Sequence, residues 1–202
     1  RLRYSREVNK DNCSLENKGT AIEEISYFKE LGGKTVVDAT SIGIFRDARG
    51  LQKISEVTKL NIIMGSSYYV EETYPKECNV FEKSEDEICE DIVRDINDGV
   101  DGSKIRSGLI GEVGCSWPIT ACEKKVLRAS AKAQIKTGAP LMIHPGRNPN
   151  APLEIIEGNE KLKETLYVTE SFKNNKIFNI LIDIHLSPKI LIEKYRIKKE
   201  IY

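Results

Sequence analysis

The side chains that could do chemistry in this sequence stand where short apolar runs end. Glu112 interrupts GLIGEVG (108–114), and His144 closes PLMIH (140–144). An ionisable group inside an apolar run costs free energy unless it is paired or bound to a metal. A carboxylate and an imidazole from neighbouring strands make half of a site for a borderline divalent cation such as zinc. Plainer arrangements stand beside that one: His144 bonded to a backbone carbonyl, and Glu112 in a buried ion pair with Arg147 or Lys104. Histidine is scarce, His144 and His185 being the only two, which limits any larger cluster.

Other candidates follow the same runs. Cys115 would lie near His144, either as half of a Cys–His nucleophile pair or as a thiol packed under Trp117. Arg147, in HPGRN, could hold an anionic group by paired hydrogen bonds or be an ordinary loop arginine. Asp38 and Thr40 end an earlier run, TVVDAT (35–40), and Ser41 and then Arg46-Asp47 follow it. Ser66 and Ser67 could donate to a phosphate, but no G-K-[ST] is present, which excludes a P-loop.

These residues need elements to hold them, and the apolar spacing supplies the elements. Ile22, Ile25, Phe28 and Leu31 recur at helical intervals and predict a helix over 20–31, with Thr20 and Glu23 as its capping box. Further helices are predicted over 48–59, 84–97 (capping box Ser84 and Glu87), 120–137 (Thr120 and Glu123) and 152–163. Between them lie short apolar runs bounded by Gly: 35–40, 61–65, 108–114 and 140–144. They read as strands buried on both faces. The stretch 66–83 has no period and reads as a long loop. Strands alternating with helices imply βαβ units and a parallel sheet, either doubly wound or a (β/α) barrel. Sites in both form at the carboxyl ends of strands, where Glu112 and His144 stand. No G-x-G-x-x-G follows the first strand, which weakens a dinucleotide fold.

Composition narrows the function classes. The chain has 202 residues, with 31 Lys+Arg against 31 Asp+Glu. A balanced charge argues against nucleic acid as a partner. No apolar run is long enough to span a membrane, and the N-terminus has no signal-peptide core. Cys13, Cys78, Cys89, Cys115 and Cys122 are odd in number and irregular in spacing, with no C-x-x-C. This predicts free thiols in a reducing, cytoplasmic setting. The start at Arg1 leads to the expectation that the reading begins inside a longer protein.

Composition changes near residue 170. From Ser171 to Tyr202 there is no Gly, Ala or Val, and Ile and Lys make up 14 of 32 residues. The segment reads either as an ordinary strand (177–184) and basic helix (188–201), or as a divergent end such as translated intron, and composition favours the second. The expected organisation is a partial barrel over 1–170 and a divergent basic tail over 171–202.

GEVGCSWPIT (111–120) and LMIHPGRNPNAP (141–152) resemble the phosphotriesterase-related proteins of the amidohydrolase superfamily. TVVDATSIGIFRD (35–47) and NIIMGSSYYV (61–70) support the resemblance in the same order, over about residues 18–156. The resemblance implies an α/β fold, an incomplete (β/α)8 TIM barrel made of roughly strands two to five. It implies a metal-dependent hydrolase with two ions, usually zinc, and metal-bound hydroxide as nucleophile. Glu112 matches the carboxylate that bridges the metals, and His144 the histidine ligand ending strand five. His185, in IHLSPK, is a faint echo of the strand-six histidine. Arg147 would meet an anionic group of a small-molecule substrate. No catalytic residue is assigned beyond the metal ligands.

The chain departs from this pattern in lacking an H-x-H pair before His144 and an acidic ligand for strand eight. A catalytic zinc usually takes three protein ligands and water. The expectation is therefore a zinc-dependent hydrolase of ester or amide bonds, with N-acyl amides such as N-acetyltaurine among the substrates the resemblance implies, impaired in this chain. The alternative is a non-catalytic barrel fragment with a binding or regulatory role.

Overall fold

The computed structural model describes residues 17–157 and 180–182. The chain divides into two compact units, residues 1–38 with 47–63 and residues 39–46 with 64–202.

The first unit holds α1 (Lys18–Glu30), β1 (Thr35–Asp38), α2 (Ala48–Thr58) and the opening residues of β2 (Asn61–Ser66). The α1 helix does not start from the Thr20–Glu23 box. Asn17 is its cap, the side chain accepting from the Gly19 and Thr20 N–H groups. An Asn one turn earlier can cap the first free donors, so the helix begins there. The apolar stripe is also looser than its spacing predicts: α1 buries no residue fully, and Leu31 is 89% exposed. In β1, residues alternate between exposed and half-buried, although TVVDAT reads as doubly buried. No described residue covers the outer face of Val37, which is 52% exposed. The α2 helix starts at Asp47, whose carboxylate accepts from Gly50 N–H and pairs with Lys18 at 2.9 Å. Asn61 N–H donates to Lys34 carbonyl beside β1.

In the second unit the end of β2 is followed by α3 (Glu85–Asn97), β3 (Leu109–Gly114), α4 (Ala121–Thr137), β4 (Leu141–His144), α5 (Ala151–Glu157) and β5 (Ile180–Ile182). Each strand pairs in parallel with the next in the chain: Gly65 with Leu109, Gly114 with His144, Ile143 with Ile182. Unreversed strand order with α3 and α4 in the crossovers is the arrangement of successive barrel units. A doubly wound sheet would reverse direction at a switch point. Both predicted capping boxes are formed, at Ser84 and Thr120, and Gly138 closes α4 in the left-handed conformation. The inner faces of α3 and α4 supply Ile88, Ile92, Val126 and Leu127, which pack with Ile110, Leu141 and Ile143 of the strands. Each is at most 1% exposed, and burying such a side chain contributes about 1.5–3 kcal/mol. Ion pairs lace the outer faces together, Glu85 taking Arg128 at 2.7 Å and Lys132 at 2.8 Å.

The long segment 66–83 is a packed connection, with 3-10 turns at Glu71–Thr73 and Lys76–Cys78. Tyr68, Tyr69, Val70, Tyr74 and Val80 are buried in it. Tyr68 and Tyr74 meet edge to face at 5.6 Å. The Lys125 ammonium donates to the carbonyls of Val80, Phe81 and Lys83 at 2.7–2.9 Å, pinning the segment to α4. Aromatic anchoring of this kind has no period, so periodicity alone reads it as loop.

Within the compositionally distinct tail, Ile180–Ile182 is a strand beside β4. His185 and the predicted helix over 188–201 lie outside the described residues. Among the described residues, no helix is long and apolar enough to cross a membrane.

Candidate functional site

The site begins with the way β2 meets β3. Ser66 pairs with both Ile110 and Gly111, a bulge that places an extra residue opposite β2. Gly111 has φ of +133°, a backbone region side chains rarely adopt. Gly65 allows the close approach, since a Cβ there would strike Gly111 carbonyl oxygen. The bulge lets Glu112 N–H reach past β2 and donate to Ala39 carbonyl at 2.9 Å.

With its backbone held in this way, Glu112 turns its carboxylate to His144 on the adjacent strand, Oε1 facing imidazole Nδ1. The Glu112 and His144 side chains are 20% and 17% exposed, sheltered yet reachable. Tyr69, from the segment after β2, lays its ring against the imidazole, with centroids 5.6 Å apart and planes tilted by 50°. The His144 carbonyl accepts from Cys115 N–H at 2.9 Å, which ties the end of β4 to the loop after β3.

The structure therefore brings together the two residues singled out first. The carboxylate of Glu112 pairs with His144, not with Arg147 or Lys104. An oxygen and a nitrogen donor converging from two strands fit one side of a divalent-cation site. Among the described residues no group of three or more His, Cys, Asp or Glu could hold a metal ion. Arg147, three residues beyond His144, is exposed. It follows Gly146, where a Cβ would come within 2.6 Å of Trp117 Cβ and 3.0 Å of Trp117 N, so the loops after β3 and β4 touch there. His185 lies outside the described residues.

Cys115 is fully buried, and burial, reinforced by the Glu123 charge, pushes its thiol up. It packs in the core, where a thiol is enclosed and inert. Three features escaped the sequence reading. Tyr69 was one tyrosine among several in an aperiodic segment. Glu123 shows in the sequence only as a capping residue, yet it is 1% exposed and has four donors around it. Arg46, seen only as a residue after a strand, makes a buried ion pair with Asp95 at 2.7 Å.

Residues 4–160 match the phosphotriesterase family. The phosphotriesterase-related protein of Nematostella vectensis is 48% identical over 157 residues, which cover 77% of this chain and 44% of that protein. The N-acetyltaurine hydrolase of Xenopus tropicalis is 45% identical over 150 residues, 74% of this chain and 42% of that protein. The chain thus spans less than half the length of either relative. Among solved structures, the phosphotriesterase homology protein from Escherichia coli, complexed with phosphate in its active site, superposes with a TM-score of 0.68. It is 26% identical, covering 75% of this chain and 51% of that one.

Proposed function

The chain belongs to the phosphotriesterase family, and from that premise we propose that Glu112 and His144 are ligands of a divalent-metal centre, zinc by donor type, that hydrolyses ester or amide bonds. The observation that carries this reading is their convergence at the carboxyl ends of adjacent parallel strands. A divalent cation held there would lower the pKa of a bound water towards neutrality and polarise a carbonyl or phosphoryl oxygen. Glu112 would supply negative charge to offset the cation, and the bond from its N–H to Ala39 carbonyl fixes the backbone from which the carboxylate projects. His144 would supply a neutral nitrogen donor, its ring steadied by Tyr69. A catalytic zinc takes three protein ligands and a water, and Glu112 and His144 would supply two of them.

The substrate class follows from charge and from the relatives. Arg147 is exposed three residues after His144 and suits an anionic small molecule. A curated relative is named for N-acetyltaurine, an anionic amide. We therefore favour N-acyl amides carrying an acid group. The test is acetate release from N-acetyltaurine by the purified chain with added zinc. Turnover is expected to be low, to vanish on chelation, and to vanish in Glu112→Gln. Release that persists in either case overturns the metal reading. Zinc-loaded chain with no release at all supports the second reading, a non-catalytic binding fragment.

A further inference from the structure

Glu123 is a buried carboxylate that the proposed centre does not use. It sits in the first turn of α4 and is 1% exposed. Its Oε2 accepts from Ser116 N–H at 2.9 Å, from Ser116 hydroxyl at 2.7 Å and from Thr120 N–H at 3.1 Å. Its Oε1 accepts from Glu71 N–H at 3.1 Å. The first three bonds hold the loop after β3, and the fourth holds the segment after β2. The Thr120 hydroxyl donates to the Glu71 carboxylate, a second tie between the same two segments.

A helix cap needs none of this reach. The twin box on α3 joins Ser84 to Glu87 alone, and both residues are exposed. Burying a carboxylate is costly, and at Glu123 four donors offset the cost by joining segments from two different strand ends. What those segments carry is the site. Glu71 stands two residues after Tyr69, whose ring lies on His144. The Tyr69–Val70 backbone rests tightly on Gly114, where a Cβ would come within 2.6 Å of both Tyr69 C and Val70 N. Residue 71 thus belongs to the same short backbone run that carries the Tyr69 ring.

We propose that Glu123 is a positioning residue. From α4 it anchors the segment after β2, so that Tyr69 holds the His144 imidazole facing Glu112. The functional weight of this rests on reading Glu112 and His144 as the metal centre. The geometric part can be measured without metal or turnover.

The experiment follows the His144 ring protons by NMR at one fixed pH, using the ring current of Tyr69 as the signal. Tyr69→Leu defines the shift caused by losing the aromatic ring. Glu123→Gln should move the His144 protons in that same direction. An amide cannot accept at both ends: with its oxygen towards Ser116 and Thr120, its NH2 opposes the Glu71 N–H. It should also weaken zinc binding by about tenfold. Thr120→Val cuts the other tie to Glu71 together with the hydroxyl cap on Glu123 N–H; it should give a smaller shift of the same sign, which, with Ser84→Ala as the control for losing a cap, decides the matter if Glu123→Gln does not fold. Ser84→Ala removes the matching cap on α3 and should leave His144 where it is. His144 protons unmoved in a folded Glu123→Gln and in Thr120→Val, or moved equally by Ser84→Ala, overturn the proposal. A wild-type chain that takes up no zinc while showing the predicted shifts removes the metal centre and leaves Glu123 in its positioning role.

Discussion

Removing one partner of the Arg46–Asp95 pair should destabilise the second unit far more than removing both. The side chains are 4% and 10% exposed and meet at 2.7 Å, the most buried ion pair among the described residues. Asp95 Oδ2 also accepts from Ser66 hydroxyl at 2.8 Å, and Ser66 is the residue at which β2 bulges against β3 beside Glu112. Arg46→Met leaves a buried carboxylate with Ser66 as its one side-chain donor. Breaking a buried pair from one side costs about 3–5 kcal/mol. Asp95→Leu leaves the guanidinium with Gly65 carbonyl at 3.4 Å and Asp101 at 3.4 Å, the latter 65% exposed and so worth little. In the double variant no charge is stranded, and the main loss is the orphaned Ser66 hydroxyl, about 1–3 kcal/mol. The two single effects therefore should exceed the double effect by several kcal/mol in sum. Urea unfolding followed by the emission of Trp117, the only tryptophan, measures this. With a slope of about 1–3 kcal/mol per M, each single substitution moves the midpoint by about 1–5 M. Single effects within about 0.5 kcal/mol of wild type, the range of a neutral surface change, or a double effect equal to their sum, would refute the reasoning.

Gly146→Ala should cost about 1–3 kcal/mol by overpacking and shift Trp117 emission, because the new Cβ would come within 2.6 Å of Trp117 Cβ; unchanged stability and emission would mean the loops after β3 and β4 do not touch. The carboxyls of Glu85 and Asp91 are partly buried, which opposes ionisation, but the cations beside each hold them below their ordinary values. A folded-state pKa below the unfolded one gives stability that is present above the unfolded value and lost as pH falls through the folded one. The urea midpoint should therefore drop as pH falls below the ordinary glutamate value of 4.5, and less steeply in Glu85→Gln; equal slopes would count against the Glu85 cluster. Cys115 should resist thiol reagents in the native protein and react after unfolding, and turnover by the zinc-loaded chain should survive Cys115→Ser. Rapid native labelling at Cys115 would show that the thiol is not enclosed.

The regular elements of the second unit were legible because local signals and packing agree there. Ser84 with Glu87 and Thr120 with Glu123 start helices where the apolar faces begin, and Gly138 ends one where the face ends. The first unit was less legible. Asn17 displaces Thr20 as cap, and Leu31 continues the helical spacing but projects into solvent. At the site, Glu112 and His144 stood out because charge inside an apolar strand is itself a signal. Tyr69, Glu123 and Arg46 carried no such mark. Their roles come from partners 49 to 75 residues away, such as Asp95 for Arg46, Glu71 for Glu123 and His144 for Tyr69, and sequence spacing does not encode such contacts. The bulge at Ser66 was equally hidden, because it depends on how two strands meet.

The central claim is that Glu112 and His144 act together on a divalent cation. Zinc competition against a chromophoric chelator, run on the 202-residue chain and on Glu112→Gln and His144→Gln, tests it most directly. With Glu112 and His144 as two ligands, the wild-type chain should bind zinc weakly at one site, and each variant should lose that site. Zinc uptake that is the same in all three proteins would contradict it.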